Sequence, residues 1–327
     1  MSIKGKSVLV TGAGGFIGSH LTEELVRQGA RVRAFVHYRG NSEWGWLDSS
    51  PVKNDIEVVA GDIADAECVF RAMQGCETVF HLAALIAIPY SYVAPYSYMR
   101  TNIEGTINVL QAARKLETGR IIHTSTSEIY GTARYVPIDE AHPMQGQSPY
   151  SASKIGADKM AESFYLSFKT PVVTVRPFNT YGPRQSARAV IPSIITQCLA
   201  GQRIKLGNVT PTRDFNFATD TARGFIAAAE APGIEGLTVN LGSGQEIAIR
   251  DLAALIGTLT GNQTNIEIDD ARTRPAGSEV ERLLASNALA REKLGWSPQV
   301  SLREGLTQTI AWIAENQHRF RTGTYAV

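Results

Sequence analysis

Three glycines at intervals of three residues, Gly12, Gly15 and Gly18, stand where an apolar run gives way to a helix-spaced segment. Lys6–Thr11 is short and β-rich, and Gly15–Gln28 carries Phe16, Ile17, Leu21, Leu25 and Val26 along one side. Glycines here permit a tight strand-to-helix turn and let a pyrophosphate approach backbone N–H groups, where the helix N-terminus favours negative charge. The pattern predicts a dinucleotide cradle built from Gly12, Gly15, Phe16, Ile17 and Gly18. A tight βα turn without a ligand is the plainer reading of the same glycines.

The segments that follow keep alternating. Strand-like runs are read at 31–37, 56–60, 78–81, 120–124 and 171–176, and helix-like runs at 65–74, 98–115 and 150–168. Strands alternating with helices imply a doubly wound parallel sheet, an α/β fold of Rossmann type. After Pro177 turn signals multiply and the pattern loosens. Residues 1–177 are therefore expected to form the NAD(P)-binding domain, and 178–327 a smaller α/β substrate lobe with some segments returning to the first.

Bulk properties narrow the partners. The net charge of +1 gives no reason to expect nucleic acid or an anionic membrane. The three cysteines, Cys68, Cys76 and Cys198, form neither a disulfide framework nor a zinc-spaced pair, and the six histidines show no metal spacing. The apolar run Val79–Ile88 contains His81 and ends at Pro89, too short to span a bilayer, and the N-terminus does not read as a signal peptide. A cytoplasmic protein without a bound metal is expected.

Several residues suggest chemistry. Asp62, after the third strand, can accept a hydrogen bond from an adenine amino group with Ile63 against the ring, or serve as an ordinary turn or cap residue. The second strand ends Val36-His37-Tyr38-Arg39, with no acid to grip a ribose 2′-OH. Arg39 suits a 2′-phosphate, which favours NADP over NAD, although an exposed Arg and NAD held by other contacts stay open. Tyr150 and Lys154 stand at i and i+4, on one helix face. A lysine ammonium near a phenol favours phenolate, so Tyr150 can take and return a proton. Before them the fifth strand runs into Thr126-Ser127-Glu128, hydroxyls and an acid at a strand's carboxyl end, where open α/β sheets bind ligands.

With these motifs the chain resembles the extended short-chain dehydrogenase/reductase family. The matching segments are TGAGGFIG (11–18), GDI (61–63), HLAA (81–84), TNIEGT (101–106), STSEIYG (125–131), YSASK (150–154) and RPFNTYGPRQ (176–185). The resemblance implies a retained, recycled NAD(P), a nucleoside-diphosphate sugar as substrate, and a homodimer built from a helix bundle. It implies Tyr150 and Lys154 as the working pair with Thr126 as hydroxyl partner. Leu82, Ala83 and Ala84 are implied to line the cofactor, and Asn179 to face the sugar diphosphate.

Thr126-Ser127-Glu128 is similar to the triplet of GDP-mannose 4,6-dehydratases and departs from the dTDP-glucose type, which has Asp in place of Ser127. Arg274–Val280 followed by Lys293–Trp296 is similar to the same type, with two residues more. Glu43–Trp46 and Ile88–Tyr92 resemble segments of GDP-N-acetylglucosamine 4,6-dehydratases. The implied activity is that of a hydro-lyase, with Glu128 and Ser127 joining the catalytic set. Arg213 and Arg274 are candidates for the diphosphate, because guanidinium suits bidentate phosphate contact. Surface or interface ion pairing is their plainer role. A 4-epimerase, a nucleotide-uronate decarboxylase and a cofactor-sensing binding protein are the rival readings. The tyrosines at 90, 92, 96 and 98 either close over substrate or pack a loop.

Overall fold

The computed structural model describes residues 2–262 and 265–320. The chain opens with β1 (Ser7–Thr11), α1 (Phe16–Arg27), β2 (Arg31–His37), β3 (Ile56–Gly61), α2 (Ala66–Met73) and β4 (Thr78–His81). Two short helices, α3 (Ile88–Val93) and α4 (Pro95–Tyr98), lead through a π-helical turn at Met99–Glu104 into α5 (Gly105–Lys115). Next come β5 (Arg120–Thr124), a 3-10 turn at Ser127–Tyr130, α6 (Pro149–Phe168) and β6 (Val172–Pro177). The second half holds β7 (Asn179–Tyr181), α7 (Val190–Leu199), β8 (Ile204–Leu206), β9 (Thr212–Phe217), α8 (Ala218–Glu230) and β10 (Thr238–Leu241). It closes with β11 (Glu246–Ala248), α9 (Ile249–Thr260), β12 (Ile266–Ile268), β13 (Arg282–Leu283), α10 (Ala288–Leu294) and α11 (Leu302–Glu315).

Seven strands form one parallel sheet in the order β10-β6-β5-β4-β1-β2-β3. Both faces are covered, which explains why its strands read as apolar runs rather than alternating ones. Val8 and Val10 join a core with Leu21, Leu25, Phe80, Val173 and Phe225, while Leu9 points into the opposite core with Val79, Leu110, Ile121 and Phe164. This is the doubly wound Rossmann-type fold expected from the strand–helix alternation.

Three elements cross the expected division near residue 177. Strand β10 adds to the sheet beside β6, α8 packs on α1, and α10 packs on β10 and α8. Helices α7, α9 and α11 with β8 and β9 surround a separate core of Ile191, Ile194, Phe215, Phe217, Leu252, Ile256 and Ile313. There β9 is flanked by β11 and β13 and also pairs with β7.

Helix starts follow local chemistry. Helix α6 begins at Pro149, one residue before the expected Tyr150, because Ser148 and Ser151 form a reciprocal capping box and proline suits the first helical position. The helix expected at 98–115 is interrupted by the π turn, which carries the buried Asn102. Asn102 accepts from the Leu85 N–H at 2.8 Å and donates to Ser153 Oγ at 2.9 Å, clamping the segment after β4 onto α6. Among the described residues no helix is long and apolar enough to cross a membrane.

Candidate active site

The sheet's strand order reverses between β1 and β4, the crevice where open α/β sheets bind ligands. The glycine loop leaves β1 there. A Cβ on Gly12 would lie 2.9 Å from Ala83 N, and one on Gly18 would lie 2.2 Å from the Gly12 carbonyl oxygen. The N-cap of α1 is Gly15, without a side-chain cap, and its first turn carries no acid. Neither the cap nor the first turn of α1 therefore supplies a carboxylate that would compete with a pyrophosphate for its amides. Leu82 and Ala83 donate their N–H groups to Thr11 Oγ1 at 3.0 and 3.1 Å, which sets Leu82–Ala84 beside the loop.

The crossover from β2 to β3 covers the loop from outside. Trp46 N–H donates to the Gly14 carbonyl at 3.0 Å, and a Cβ on Gly14 would lie 2.2 Å from the Trp44 carbonyl oxygen. Backbone cannot give way there as a side-chain tip would. Gly14→Ala is expected to cost about 1–3 kcal/mol through overpacking and to weaken dinucleotide binding. An unchanged melting temperature with unchanged dinucleotide affinity would contradict this close fit.

Arg39 follows β2, more than half exposed, in a loose ion pair with Glu43 at 3.5 Å. Such exposed pairs are worth little and yield readily to a phosphate. Asp62 is exposed and accepts from Ala64 N–H at 2.9 Å, a turn role, while Asp65 caps α2. Ile63 is buried against Gly105.

The catalytic candidates converge at the carboxyl end of β5. Thr126 caps the 3-10 turn by accepting from Glu128 N–H at 3.2 Å, and its hydroxyl is the hydrogen-bonding neighbour of the Tyr150 phenol. Tyr98, fully buried, packs edge-on against Tyr150 with ring centroids 6.2 Å apart. Burial pushes the Tyr150 phenol well above its ordinary value, against the Thr126 hydrogen bond. Burial lowers the Lys154 ammonium to about 8, opposed by Asp158, and its Nζ donates to the Thr124 carbonyl at 2.6 Å. In the protein alone, burial therefore favours the neutral form of both groups, rather than the lysine-stabilised phenolate expected from spacing. Ser127 is buried within the turn.

The C-terminal elements bring cations to the same place. Arg274 Nη1 lies 3.7 Å from Glu128 Oε2, and Arg213, buried on β9, lies 3.4 Å from Glu279. Burial lowers Arg213 from its ordinary value; Glu128 counters this and Arg274 adds to it. Glu128, Arg213 and Arg274 thus form one cluster. Asn179 lies on β7 beside β9 and donates to the Asp214 carbonyl at 3.2 Å. Of the four tyrosines, Tyr98 packs on Tyr150, Tyr92 hydrogen-bonds Ser278 across to the Arg274 loop, and Tyr96 is exposed.

The two strand-end histidines are hydrogen-bonding groups. His81 lies between the hydroxyls of Thr11 and Thr106, and His123 contacts Asp158 at 3.0 Å. Among the described residues no group of His, Cys, Asp and Glu could hold a metal ion. Sequence reading missed Asn102, Tyr130, Asp158 and Arg176, which form polar contacts around the catalytic candidates. The i, i+4, i+8 spacing of Tyr150, Lys154 and Asp158 was the available signal for one of them.

Comparison with known proteins agrees with this geometry. The profile of the GDP-mannose 4,6 dehydratase family matches residues 9–309. A dTDP-glucose 4,6-dehydratase from Streptomyces antibioticus is 32% identical over 316 residues, 95% of this chain and 93% of that protein. Among solved structures, the epimerase Mth375 from Methanothermobacter thermautotrophicus superposes with a TM-score of 0.89 at 33% identity, covering 98% of this chain and 96% of that one. DesIV, a dTDP-glucose 4,6-dehydratase from Streptomyces venezuelae solved with NAD and TYD bound, gives a TM-score of 0.87 at 28% identity, covering 96% and 99%. The glycine cradle, the Thr126–Tyr150–Lys154 cluster and these full-length matches make the chain a member of the NAD-dependent epimerase/dehydratase family of extended short-chain dehydrogenase/reductases.

Proposed function

We propose that this enzyme is a nucleotide-sugar 4,6-dehydratase, a hydro-lyase that converts a nucleoside-diphosphate hexose to its 4-keto-6-deoxy form. The observation that carries the reading is Glu128, a carboxylate placed beside the Thr126–Tyr150 pair and loosely tied to Arg274. Epimerisation at C4 has no need of such a base, whereas dehydration must remove the C5 proton.

The glycine loop, Leu82–Ala84 and Lys154 would hold a nicotinamide nucleotide, which when bound would supply a reversible hydride acceptor and donor for C4 and C6. Tyr150 takes the C4 hydroxyl proton as phenolate, the form that a bound nicotinamide cation would favour over the neutral phenol of the protein alone, with Thr126 orienting that oxygen. The ketone formed at C4 acidifies the C5 proton, and Glu128 removes it. The C6 hydroxyl leaves as water, protonated by Glu128 with Ser127 beside it, and a proton returns to C5. Arg213 and Arg274 hold the diphosphate, with Asn179 facing it from β7.

The favoured substrate is a GDP-hexose, GDP-N-acetylglucosamine or GDP-mannose. The Thr-Ser-Glu triplet and the match to the GDP-mannose dehydratase profile support it; the dTDP-glucose dehydratases among the relatives are the alternative to test. Arg39 favours NADP, although DesIV was solved with NAD. Arg39→Ala is expected to weaken NADP binding about 10- to 100-fold, the loss of one charge-assisted contact, and to leave NAD binding unchanged. Equal losses for both nucleotides, measured by calorimetry, would contradict that role. The half-exposed Phe168 and exposed Leu166 at the end of α6, with Arg114 of α5 over the Phe168 ring, offer the face for a homodimer.

A further inference from the structure

The residues that carry the chemistry come from two elements, the exit of β5 and the start of α6. Nothing in the backbone ladder joins them, because a helix and a strand share no hydrogen bonds. The side chains that do join them converge on Asp158. Its Oδ1 lies 3.0 Å from His123 Nε2, and its Oδ2 accepts from Ser125 Oγ at 2.7 Å. Between these two residues, the Thr124 carbonyl accepts from Lys154 Nζ at 2.6 Å. The last two residues of β5 and the residue after it are thus each fastened to Asp158 or to Lys154, one helical turn before it.

The same carboxylate acts on the far side of the catalytic triplet. Arg176 of β6 donates to Asp158 Oδ2 through Nε at 3.3 Å and Nη2 at 3.1 Å, and through Nη1 to the Tyr130 hydroxyl at 2.8 Å. Tyr130 in turn donates to Asn240 of β10 at 2.8 Å. Thr126, Ser127 and Glu128 are therefore bracketed: Ser125 before them is tied to Asp158 directly, and Tyr130 after them through Arg176.

We propose that Asp158 is a positioning residue that registers the Thr126–Glu128 turn against Tyr150 and Lys154. The proposal rests on the dehydratase reading for its catalytic consequence, but not for its electrostatic one. The groups facing Asp158 are the buried cations Lys154 and Arg176, together with His123 and Ser125. Beyond them lie His81 on β4, its ring centroid 5.9 Å from that of His123, and Glu140, which accepts from Asn240 N–H at 2.7 Å and feels the charge of Arg176. Burial lowers His123 from its ordinary value, and its Nδ1 has no hydrogen-bond partner among the described residues. His123 is then a neutral donor through Nε2 and adds no charge. Asp158, held below its ordinary value against burial by His123, Arg176 and Lys154, remains ionised. One carboxylate thus serves two cations, and its loss leaves both without it. An apolar cluster of the same volume would stabilise the fold at least as well as buried charges do, so stability alone does not account for the arrangement.

The test titrates Lys154 by NMR in lysine-labelled, ligand-free protein and measures turnover of a nucleotide sugar in parallel. Wild type is expected to titrate near 8. Asp158→Asn is expected to move that midpoint down by about one unit or more, the shift a neighbouring opposite charge produces. Its kcat falls by about 10-fold or more with KM little changed, and its alkaline limb moves to lower pH with Lys154. Asp158→Glu keeps the charge, so Lys154 titrates near its wild-type midpoint while the displaced carboxylate still lowers kcat. If Asp158→Asn does not fold, Asp158→Glu and Ser125→Ala decide, since both are expected to lower kcat without moving KM. An unmoved Lys154 midpoint in Asp158→Asn, or wild-type kcat in both Asp158→Glu and Ser125→Ala, overturns the proposal. If wild type turns over no nucleotide sugar, the dehydratase reading falls and the Lys154 titration still decides the role of Asp158.

Discussion

Tyr150→Phe is expected to lower turnover by about 10²–10⁴-fold with little change in KM, the usual scale for losing a general acid–base group. The substitution removes one oxygen and little else. The ring stays in contact with Tyr98, and the buried position accepts Phe without a cavity. Thr126 keeps its link to the Glu128 N–H, so the turn is not unfastened. The loss then reports the proton taken from the C4 hydroxyl rather than a damaged fold. A variant within about 10-fold of wild type would remove Tyr150 from that role.

Glu128→Gln is expected to separate the two halves of the proposed reaction. Oxidation at C4, assigned in that proposal to Tyr150, Lys154 and Thr126, is expected to proceed. Removal of the C5 proton depends on a carboxylate that glutamine cannot replace, so formation of the 4-keto-6-deoxy product falls by about 10²–10⁴-fold. Nicotinamide reduction in a single turnover, followed by absorbance, measures the first half, and product analysis measures the second. Glutamine is close to isosteric, and Arg274 is partly exposed, so its unpaired guanidinium turns to water rather than distorting the site. Near-wild-type product formation by this variant would remove Glu128 from the role of C5 base.

The first six strands were legible because they are local. Val8, Leu9 and Val10 read as a buried parallel strand on composition alone, and three glycines at a strand-to-helix junction need little context. Strand β10 escaped because it joins β6 only after about sixty residues of intervening chain, a pairing that no local pattern records. The catalytic cluster was half legible. Tyr150 and Lys154 share a helix face, but the meeting of Glu128 with Arg274 depends on how the C-terminal elements fold back. Asp158 carried only its i+4 spacing from Lys154 as a signal, for another reason. A carboxylate on a helix ordinarily faces water, and only tertiary packing makes it the hub between His123, Ser125 and Arg176. The β2–β3 crossover is similar: Trp46 reads as one more aromatic until its N–H meets the Gly14 carbonyl and its ring meets Trp312 of α11.

The central claim is tested most directly by offering the purified enzyme GDP-, UDP-, CDP- and dTDP-hexoses and reading product masses. The account predicts the loss of one water from a GDP-hexose or GDP-N-acetylhexosamine, with no net consumption of nicotinamide nucleotide. An isomer of unchanged mass, or loss of carbon dioxide from a nucleotide uronate with no water lost from any hexose, would contradict it.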